Sequence, residues 1–515
     1  MSDYIASIDA GTGGVRCVIF DARGHAVSQD YREMPTRYTT DGRAEQDPNR
    51  LRTSAWDAVR GAILKGGVDA SRIVGVTATG TQTTFAAVDT SGSFLTNIIV
   101  WQDARGLEMF PWMRRRLAMR GMTEADLYRR TFRPMDALLS GAKLLWLREH
   151  APALYGRIHK LANPQSILLT ALGAGEATVD PTDGGWWLSH DSATLEPDPE
   201  LLDAFGLNPD IFPRLCAPGE RVGRVTADAA EKTGLKPGTP LFQGAVDQCC
   251  AALGAGNGGS AELATLCMGT AGVVMTWSDA PIPDPRGRYY VIHYPGGGYA
   301  SEIAVPVAAS AFRWVRDMLC PAEAYRHDDI YARMDAAAAG VPIGSGGLCF
   351  LPLMAGSLYP RVDEAIRGGW IGASLSTSRA ALVRSALEGI CFEMRQIMEA
   401  SGQAFTSIRL LGGAARSELW NQMQADVYGC PVETVASQEA SALGAAMIAA
   451  AGAGLYPSLK DAVRGMARVK RRYEPNPADA QKYTECYHAW LACLEGLCDR
   501  AFPALAKVRN GGFQC

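Results

Sequence analysis

Apolar runs of strand length, each closed by a turn of small residues, occur at two places about half a chain apart. Residues 4–8 lead into Asp9-Ala10-Gly11-Thr12-Gly13-Gly14, then a β-rich run over 15–20 and a turn at 21–24. Residues 264–267 lead into Met268-Gly269-Thr270-Ala271-Gly272 and a second β-rich run over 273–277. Each pattern predicts a β-hairpin with a turn rich in Gly and Thr. Their separation predicts an internally duplicated fold and not a solenoid of short repeats. Helical periodicity predicts helices over 51–66, 140–150, 301–318, 378–401, 415–428 and 441–452, with strands between them at 73–77, 98–101 and 407–411. After Arg472 the pattern predicts a loop and one amphipathic helix. The mixture is α/β, with sheets covered by helices. Lys236-Pro237-Gly238-Thr239-Pro240 marks a boundary, giving expected domains at 1–243 and 244–515.

At 515 residues the chain exceeds one ordinary core, which agrees with two domains. Hydrophobic content of 47% against 20% charged residues is that of a globular protein. With 50 Lys and Arg against 54 Asp and Glu, the formal charge of −4 provides no field for nucleic acid or an anionic membrane. Small anions must be held by local devices. The sequence opening MSDYIASIDAGTGG has no secretory pattern, and no apolar run of spanning length occurs, so a cytoplasmic protein is expected. The 13 cysteines form no CxxC pair and the 7 histidines never fall at metal-ligand spacing, which predicts reduced thiols and no structural metal site.

The turns carry candidate chemistry. In the first, Gly11, Thr12 and Gly13 offer backbone N–H groups that can converge on phosphate, and the Thr12 hydroxyl can join them. Asp9 would repel phosphate unless a Mg²⁺ ion, held through water, lay between them. Arg16 on the next strand is a candidate phosphate clamp. Gly269 and Thr270 repeat the device in the second turn. A third element, Gly412-Gly413-Ala414, ends a strand before a helix and would let backbone approach a base or ribose. Glu439-Ala440-Ser441-Ala442-Leu443-Gly444 opens a helix of small residues, suited either to lie beside adenine or to pack on another helix.

The order DAGTGGVR, IVWQDARG, GAVDQCCAALGAG, MGTAG, LLGGAARSELWNQMQADVYG and EASALGAAMIAA resembles the FGGY carbohydrate kinase family, from Tyr4 to about Leu455. SGAKLLWLREH at 140–150 is similar to a family signature. The resemblance implies two actin-like (ribonuclease H-like) ATPase domains, with ATP, Mg²⁺ and a small sugar or polyol in the cleft between them, and it allows a homodimer. It makes Asp247 the catalytic base and a metal ligand with Asp9, whereas a lone Asp after a strand is otherwise a helix cap. Gln82, Thr83, Trp101, Asp103 and Gln248, together with Asp247, then face the substrate: Trp101 as an apolar platform or a structural core residue, Asp103 as an acceptor from hydroxyls. The xylulokinase branch, acting on a pentulose such as D-xylulose, is the nearest in pattern. Thr81-Gln82-Thr83-Thr84 nevertheless lacks the Met-His of xylulokinases and the Arg-Glu of glycerol kinases, and the loop at 352–360 lacks the Glu-Arg of pentulose kinases. Glycerol, gluconate, another ketose or a linear dihydroxyketone therefore stand as alternatives. From a different class, so does a non-catalytic ATP-binding switch of the actin or Hsp70 type.

Overall fold

The computed structural model describes residues 3–321, 329–357, 363 and 365–509. The chain forms two compact units. The first comprises Met1–Ser260, Trp277–Ser301 and Glu439–Arg468, the second Ala261–Thr276, Glu302–Gln438 and Val469–Cys515.

In the first unit the strands Tyr4–Gly11, Gly14–Asp21 and Ala26–Glu33 form an antiparallel meander, as the alternation and the Gly-rich turn require. The helix Pro48–Gly66 crosses its back. Asp47 caps that helix, accepting from the backbone N–H groups of Asn49 and Arg50, with Pro48 at the first helical position. Its apolar positions Leu51, Ala55, Ala58, Val59 and Ala62 recur at helical spacing and join Ile8, Val15 and Cys17 in one core. The chain then returns as Ile73–Gly80, parallel to Tyr4–Gly11, and later as Pro240–Phe242, parallel to Ile73–Gly80. Arg221–Arg224 closes the edge of this six-stranded sheet.

The second unit repeats the construction. Leu263–Met268 pairs antiparallel with Gly272–Ser278 and parallel with Ser407–Leu411. Val432–Val435 adds in parallel, and Val469–Tyr473 adds antiparallel beyond it. Duplication of an α/β unit, expected from the paired turns, is what the sheets display.

Most predicted helices fall within a few residues of the observed ones: Ser140–His150, Arg379–Ser401, Glu418–Tyr428 and Ala440–Gly452. The stretch 301–318 divides differently. Tyr299–Val305 is a strand and the helix is only Ala309–Leu319, because Pro306 biases Val305 away from helical backbone. The tail contains the expected helix, Pro477–Cys498, followed by a second, Ala501–Arg509. Every cysteine among the described residues is a free thiol, and no described helix is long and apolar enough to cross a membrane.

Candidate active site

In the first unit three parallel strand ends lie side by side. Ala10 pairs with Gly80, and Gly80 bridges to Val246, so the chain leaves the sheet at neighbouring points as 9–14, 81–84 and 247–248. This is the carboxyl edge, where parallel α/β sheets bind ligands. It brings together the predicted residues Asp9, Gly11, Thr12, Gly13, Gln82, Thr83, Asp247 and Gln248. Strands are spaced about 4.8 Å apart, which puts the first and third of these ends about 10 Å apart at the backbone.

Asp247 is the first residue of the helix Asp247–Gly254, partly exposed, and its Oδ1 accepts from the N–H of Gln248 at 2.9 Å. The helix is seated against Ala440–Gly452 by two reciprocal close approaches. A Cβ on Gly444 would stand 1.8 Å from the Cys250 carbonyl oxygen, and one on Gly254 would stand 2.0 Å from that of Ala440. Neither helix can carry a side chain there, so the small residues of 440–450 serve helix–helix contact behind Asp247. Cys249 and Cys250 are fully buried in this packing.

The first turn is tied back by its carbonyls. That of Thr12 accepts from Gln46 Nε2 at 2.9 Å, and that of Gly13 from the N–H of Met34 at 2.9 Å and the Tyr31 hydroxyl at 2.7 Å. Both carbonyls are thereby turned into the fold and answered. Asp9 is pushed up to about 6 by burial, against an opposing pull from Arg16. Arg16 is ion-paired with Glu439 and lies over the Tyr31 ring. As placed, its charge is answered by Glu439, so a role as phosphate clamp requires exchange of that partner.

Trp101 lies beside the same turn: its Nε1 donates to Thr12 Oγ1 at 2.9 Å and its backbone N–H to Thr84 Oγ1 at 3.1 Å. The platform expected for substrate is thus hydrogen-bonded to the turn expected for phosphate. Asp103 is fully buried. Its Oδ1 accepts from the N–H and Nε of Arg105 (3.0 and 2.8 Å), and its Oδ2 from Arg105 Nη2 and the N–H of Ala44 (both 2.8 Å). With both oxygens occupied, Asp103 fixes the 101–105 loop, and this replaces the expected acceptance from substrate hydroxyls. Lys143 was not singled out in the sequence. Fully buried, it donates to the carbonyls of Val100 (3.1 Å) and Trp101 (2.9 Å), and burial pulls it down to about 8. A single Lys among the small and apolar residues of SGAKLLWL was the available signal.

In the second unit the predicted residues also meet at neighbouring strand ends, since Cys267 pairs with Leu411. Gly269 and Thr270 follow one strand, Gly412, Gly413 and Ala414 the other. The Thr270 carbonyl accepts from the N–H of Ala308 at 3.0 Å and the Ser310 hydroxyl at 2.6 Å, so this turn too is tied back. Gly412 has φ 86°, and a Cβ there would lie 2.5 Å from the Met268 carbonyl oxygen. Only glycine fits. Residues 358–360 of the 352–360 loop lie outside the described residues. No group of three or more His, Cys, Asp or Glu side chains suited to a metal occurs among the described residues.

Two actin-like halves, each with a Gly- and Thr-rich turn at a strand end, are the framework of a phosphotransferase of the sugar-kinase class, and the comparisons with known proteins show that class. The N-terminal domain profile of the FGGY family of carbohydrate kinases matches residues 4–254, and the C-terminal domain profile matches 264–453. The chain belongs to the FGGY family of carbohydrate kinases. A xylulose kinase of Bacillus subtilis (strain 168) is 26% identical over 488 residues, covering 93% of this chain and 94% of the relative. An autoinducer-2 kinase of Yersinia enterocolitica is 30% identical over 511 residues, covering 95% and 94%. Among solved structures, xylulose kinase from Rhodospirillum rubrum superposes with a TM-score of 0.85 at 27% identity, covering 96% of this chain and 99% of that one. The protein is thus an ATP-using phosphotransferase acting on a sugar hydroxyl.

Proposed function

We propose that the protein transfers the γ-phosphoryl group of ATP to a hydroxyl of a pentulose such as D-xylulose, with Asp247 as the base. The observation that carries this reading is the placement of Asp247. It is a partly exposed carboxylate at a helix start on the carboxyl edge of the sheet, alongside the Asp9–Gly13 turn and the Gln82–Thr83 loop. In line attack needs a proton acceptor within hydrogen-bond reach of the acceptor hydroxyl and little other covalent work from the protein. In the first unit Gly11, Thr12 and Gly13 are the candidate N–H donors to phosphate. In the second the candidate is Thr270, because the N–H of Gly269 is already donated to the Ala271 carbonyl at 3.0 Å, and Gly412, Gly413 and Ala414 are the candidate contacts to the nucleoside. Trp101 covers the apolar face of the acceptor, and Gln82, Thr83 and Gln248 meet its hydroxyls.

The residues suit Mg²⁺. Two carboxylates, Asp9 and Asp247, on strand ends about 10 Å apart leave space for an ion completed by water and phosphate oxygens, the habit of Mg²⁺ in kinases. Asp9, raised to about 6 by burial, would be kept ionised by such a cation. When bound, the ion supplies neutralisation of phosphate charge. We place the protein in the cytoplasm, where ATP and reduced thiols coexist, in keeping with its free cysteines.

A second reading, a linear dihydroxyketone of the autoinducer-2 kind as acceptor, is favoured by the 30% identity to an autoinducer-2 kinase and by Gln82-Thr83 in place of the Met-His of xylulokinases. One experiment tests both. Initial rates are measured with ATP and Mg²⁺ on D-xylulose, D-ribulose, D-gluconate, glycerol and autoinducer-2, for the wild type and Asp247→Ala. The wild type is expected to prefer a ketopentose. The variant is expected to lose at least about 10³-fold in turnover with ATP binding kept, the upper part of what a general base contributes. Negligible rates on every ketopentose end the pentulose assignment, and turnover surviving in Asp247→Ala removes the base.

A further inference from the structure

One buried turn touches two of the three strand exits at the proposed site. It is Asp180-Pro181-Thr182-Asp183, opening the short helix Pro181–Gly184. Asp180, Thr182 and Asp183 are all buried. The Oδ1 of Asp180 accepts from the N–H of Thr182 at 2.9 Å and also from its hydroxyl. Because that hydroxyl spends its only proton on Asp180, its lone pairs are turned outward. They accept from the N–H of Val246 at 3.0 Å, the residue immediately before Asp247. From the opposite side the Thr79 hydroxyl donates to the Ala245 carbonyl at 2.8 Å. The backbone entering Asp247 is therefore gripped by two hydroxyls, one on its N–H and one on its carbonyl.

Asp183, one residue on, holds the neighbouring exit. Its Oδ1 accepts from the N–H of Thr83 at 3.0 Å, and its Oδ2 from Asn163 Nδ2 at 3.0 Å. Asn163 is itself fixed, its Oδ1 accepting from the N–H of Ser166 at 2.9 Å as cap of the helix Pro164–Leu172. The backbone that Asp183 holds is a strained one. Thr83 has φ 57°, a left-handed conformation that a β-branched residue adopts only when its surroundings impose it. Its hydroxyl is buried with no hydrogen-bond partner among the described residues. Strain combined with an unanswered polar atom, at a loop already expected to face the acceptor, marks a position that the fold maintains for use.

We propose that Thr182 and Asp183 are positioning residues for phosphoryl transfer. Thr182 sets the height and direction of Asp247, Asp183 sets the Gln82–Thr83 backbone that meets the acceptor, and the rigid turn between them fixes base and acceptor relative to each other. This rests on the reading of Asp247 as base and of Gln82–Thr83 as acceptor contacts. It predicts a division of labour between adjacent residues: loss of the Thr182 hydroxyl falls on kcat, and loss of the Asp183 carboxylate falls on the KM of the acceptor.

The test uses the full chain with Mg²⁺ and with D-xylulose as acceptor, or whichever member of the panel above has the highest kcat/KM, each substrate being varied in turn with the other saturating. Thr182→Val keeps the shape of the side chain and deletes the hydroxyl, and Thr182→Ser restores it. Asp183→Asn leaves one acceptor oxygen where two donors need one each. Rates are expressed per folded site, counted by ATP-binding titration, and melting midpoints are recorded alongside. Expected are a 10- to 100-fold fall in kcat for Thr182→Val with acceptor KM within threefold, recovery to within threefold for Thr182→Ser, and a rise of at least tenfold in acceptor KM for Asp183→Asn with kcat and ATP KM within threefold. Lower melting midpoints with unchanged constants per folded site would make the turn purely structural and overturn the proposal. Equal effects of both variants on kcat and KM would do the same. If Thr182→Val does not fold, Thr79→Val removes the other hydroxyl on the same backbone and carries the kcat comparison. Asp247→Ala in the same assay keeps the two levels apart. Activity surviving in it refutes the base, whereas an inactive Asp247→Ala beside a fully active Thr182→Val refutes only the brace.

Discussion

Glu393 lies in the middle of the helix Arg379–Ser401, buried, with no hydrogen bond to its Oε2 among the described residues. Burial alone pushes its carboxyl up to about 8 from the ordinary 4.5. A group raised on folding holds its proton longer in the native state, so its contribution to stability is complete below pH 4.5 and is lost as the pH climbs to 8. Across that window the unfolded chain has released the proton and the folded chain has not, and stability falls by about 1.4 kcal/mol per pH unit. Above pH 8 both states are ionised and the loss levels off, near 5 kcal/mol as an upper limit. Glu393→Gln keeps size and shape without a titrating proton, so the variant lacks this slope. For a unit of 150–250 residues, 1 kcal/mol moves a melting midpoint by about 2–4 °C. The midpoint of Glu393→Gln should therefore gain on the wild type by about 3–6 °C per pH unit between pH 5 and 8, then run parallel to it. Thermal melts followed by intrinsic fluorescence at half-unit steps from pH 5 to 9.5 give the comparison directly. A constant offset over the whole range would mean that Glu393 is already ionised in the native state, and the reasoning from burial would fail.

Two further outcomes follow from the site itself. Trp101→Phe deletes the 2.9 Å bond from Nε1 to Thr12 Oγ1 while keeping an aromatic platform, and at about 1 kcal/mol for one net hydrogen bond the acceptor KM should rise about fivefold. An unchanged KM in steady-state kinetics would separate platform from turn. Gly412→Ala forces a Cβ to 2.5 Å from the Met268 carbonyl oxygen at φ 86°, costing about 1–3 kcal/mol. ATP KM should rise and the melting midpoint fall while acceptor KM is kept, measured by varying each substrate in turn.

How much of this was legible in the sequence depends on how far each interaction reaches along the chain. Both hairpin turns, the capped helix after Asp47 and the tail helix are written in contiguous residues, and periodicity with Gly and Pro placement was enough to read them. The strand after Tyr299 was not, because its apolar run also fits the helical period and only Pro306 argued otherwise. The misreading of Asp103 has a sharper cause. Its place in the WQDAR segment marks a loop at the site, yet what its oxygens do is decided by Arg105, two residues on, and by the N–H of Ala44, far upstream. A D-x-R pair inside a turn can close on itself through the guanidinium fork, and that possibility was available to sequence reasoning. The hold of Thr182 on Val246 and of Asp183 on Thr83 was not. These bonds join residues 64 and 100 positions apart, and each has backbone on one side, so no side-chain identity at the far end announces it. The same asymmetry explains why the class of reaction is plain and the sugar is not. Gly- and Thr-rich turns are built from backbone and glycine, whose pattern survives in sequence, whereas on the proposed reading acceptor choice rests on a few side chains at 82–84 and 101, and Thr83 there has a strained backbone held by Asp183. A substitution at Asp183 could therefore alter substrate preference with every acceptor-contacting side chain unchanged.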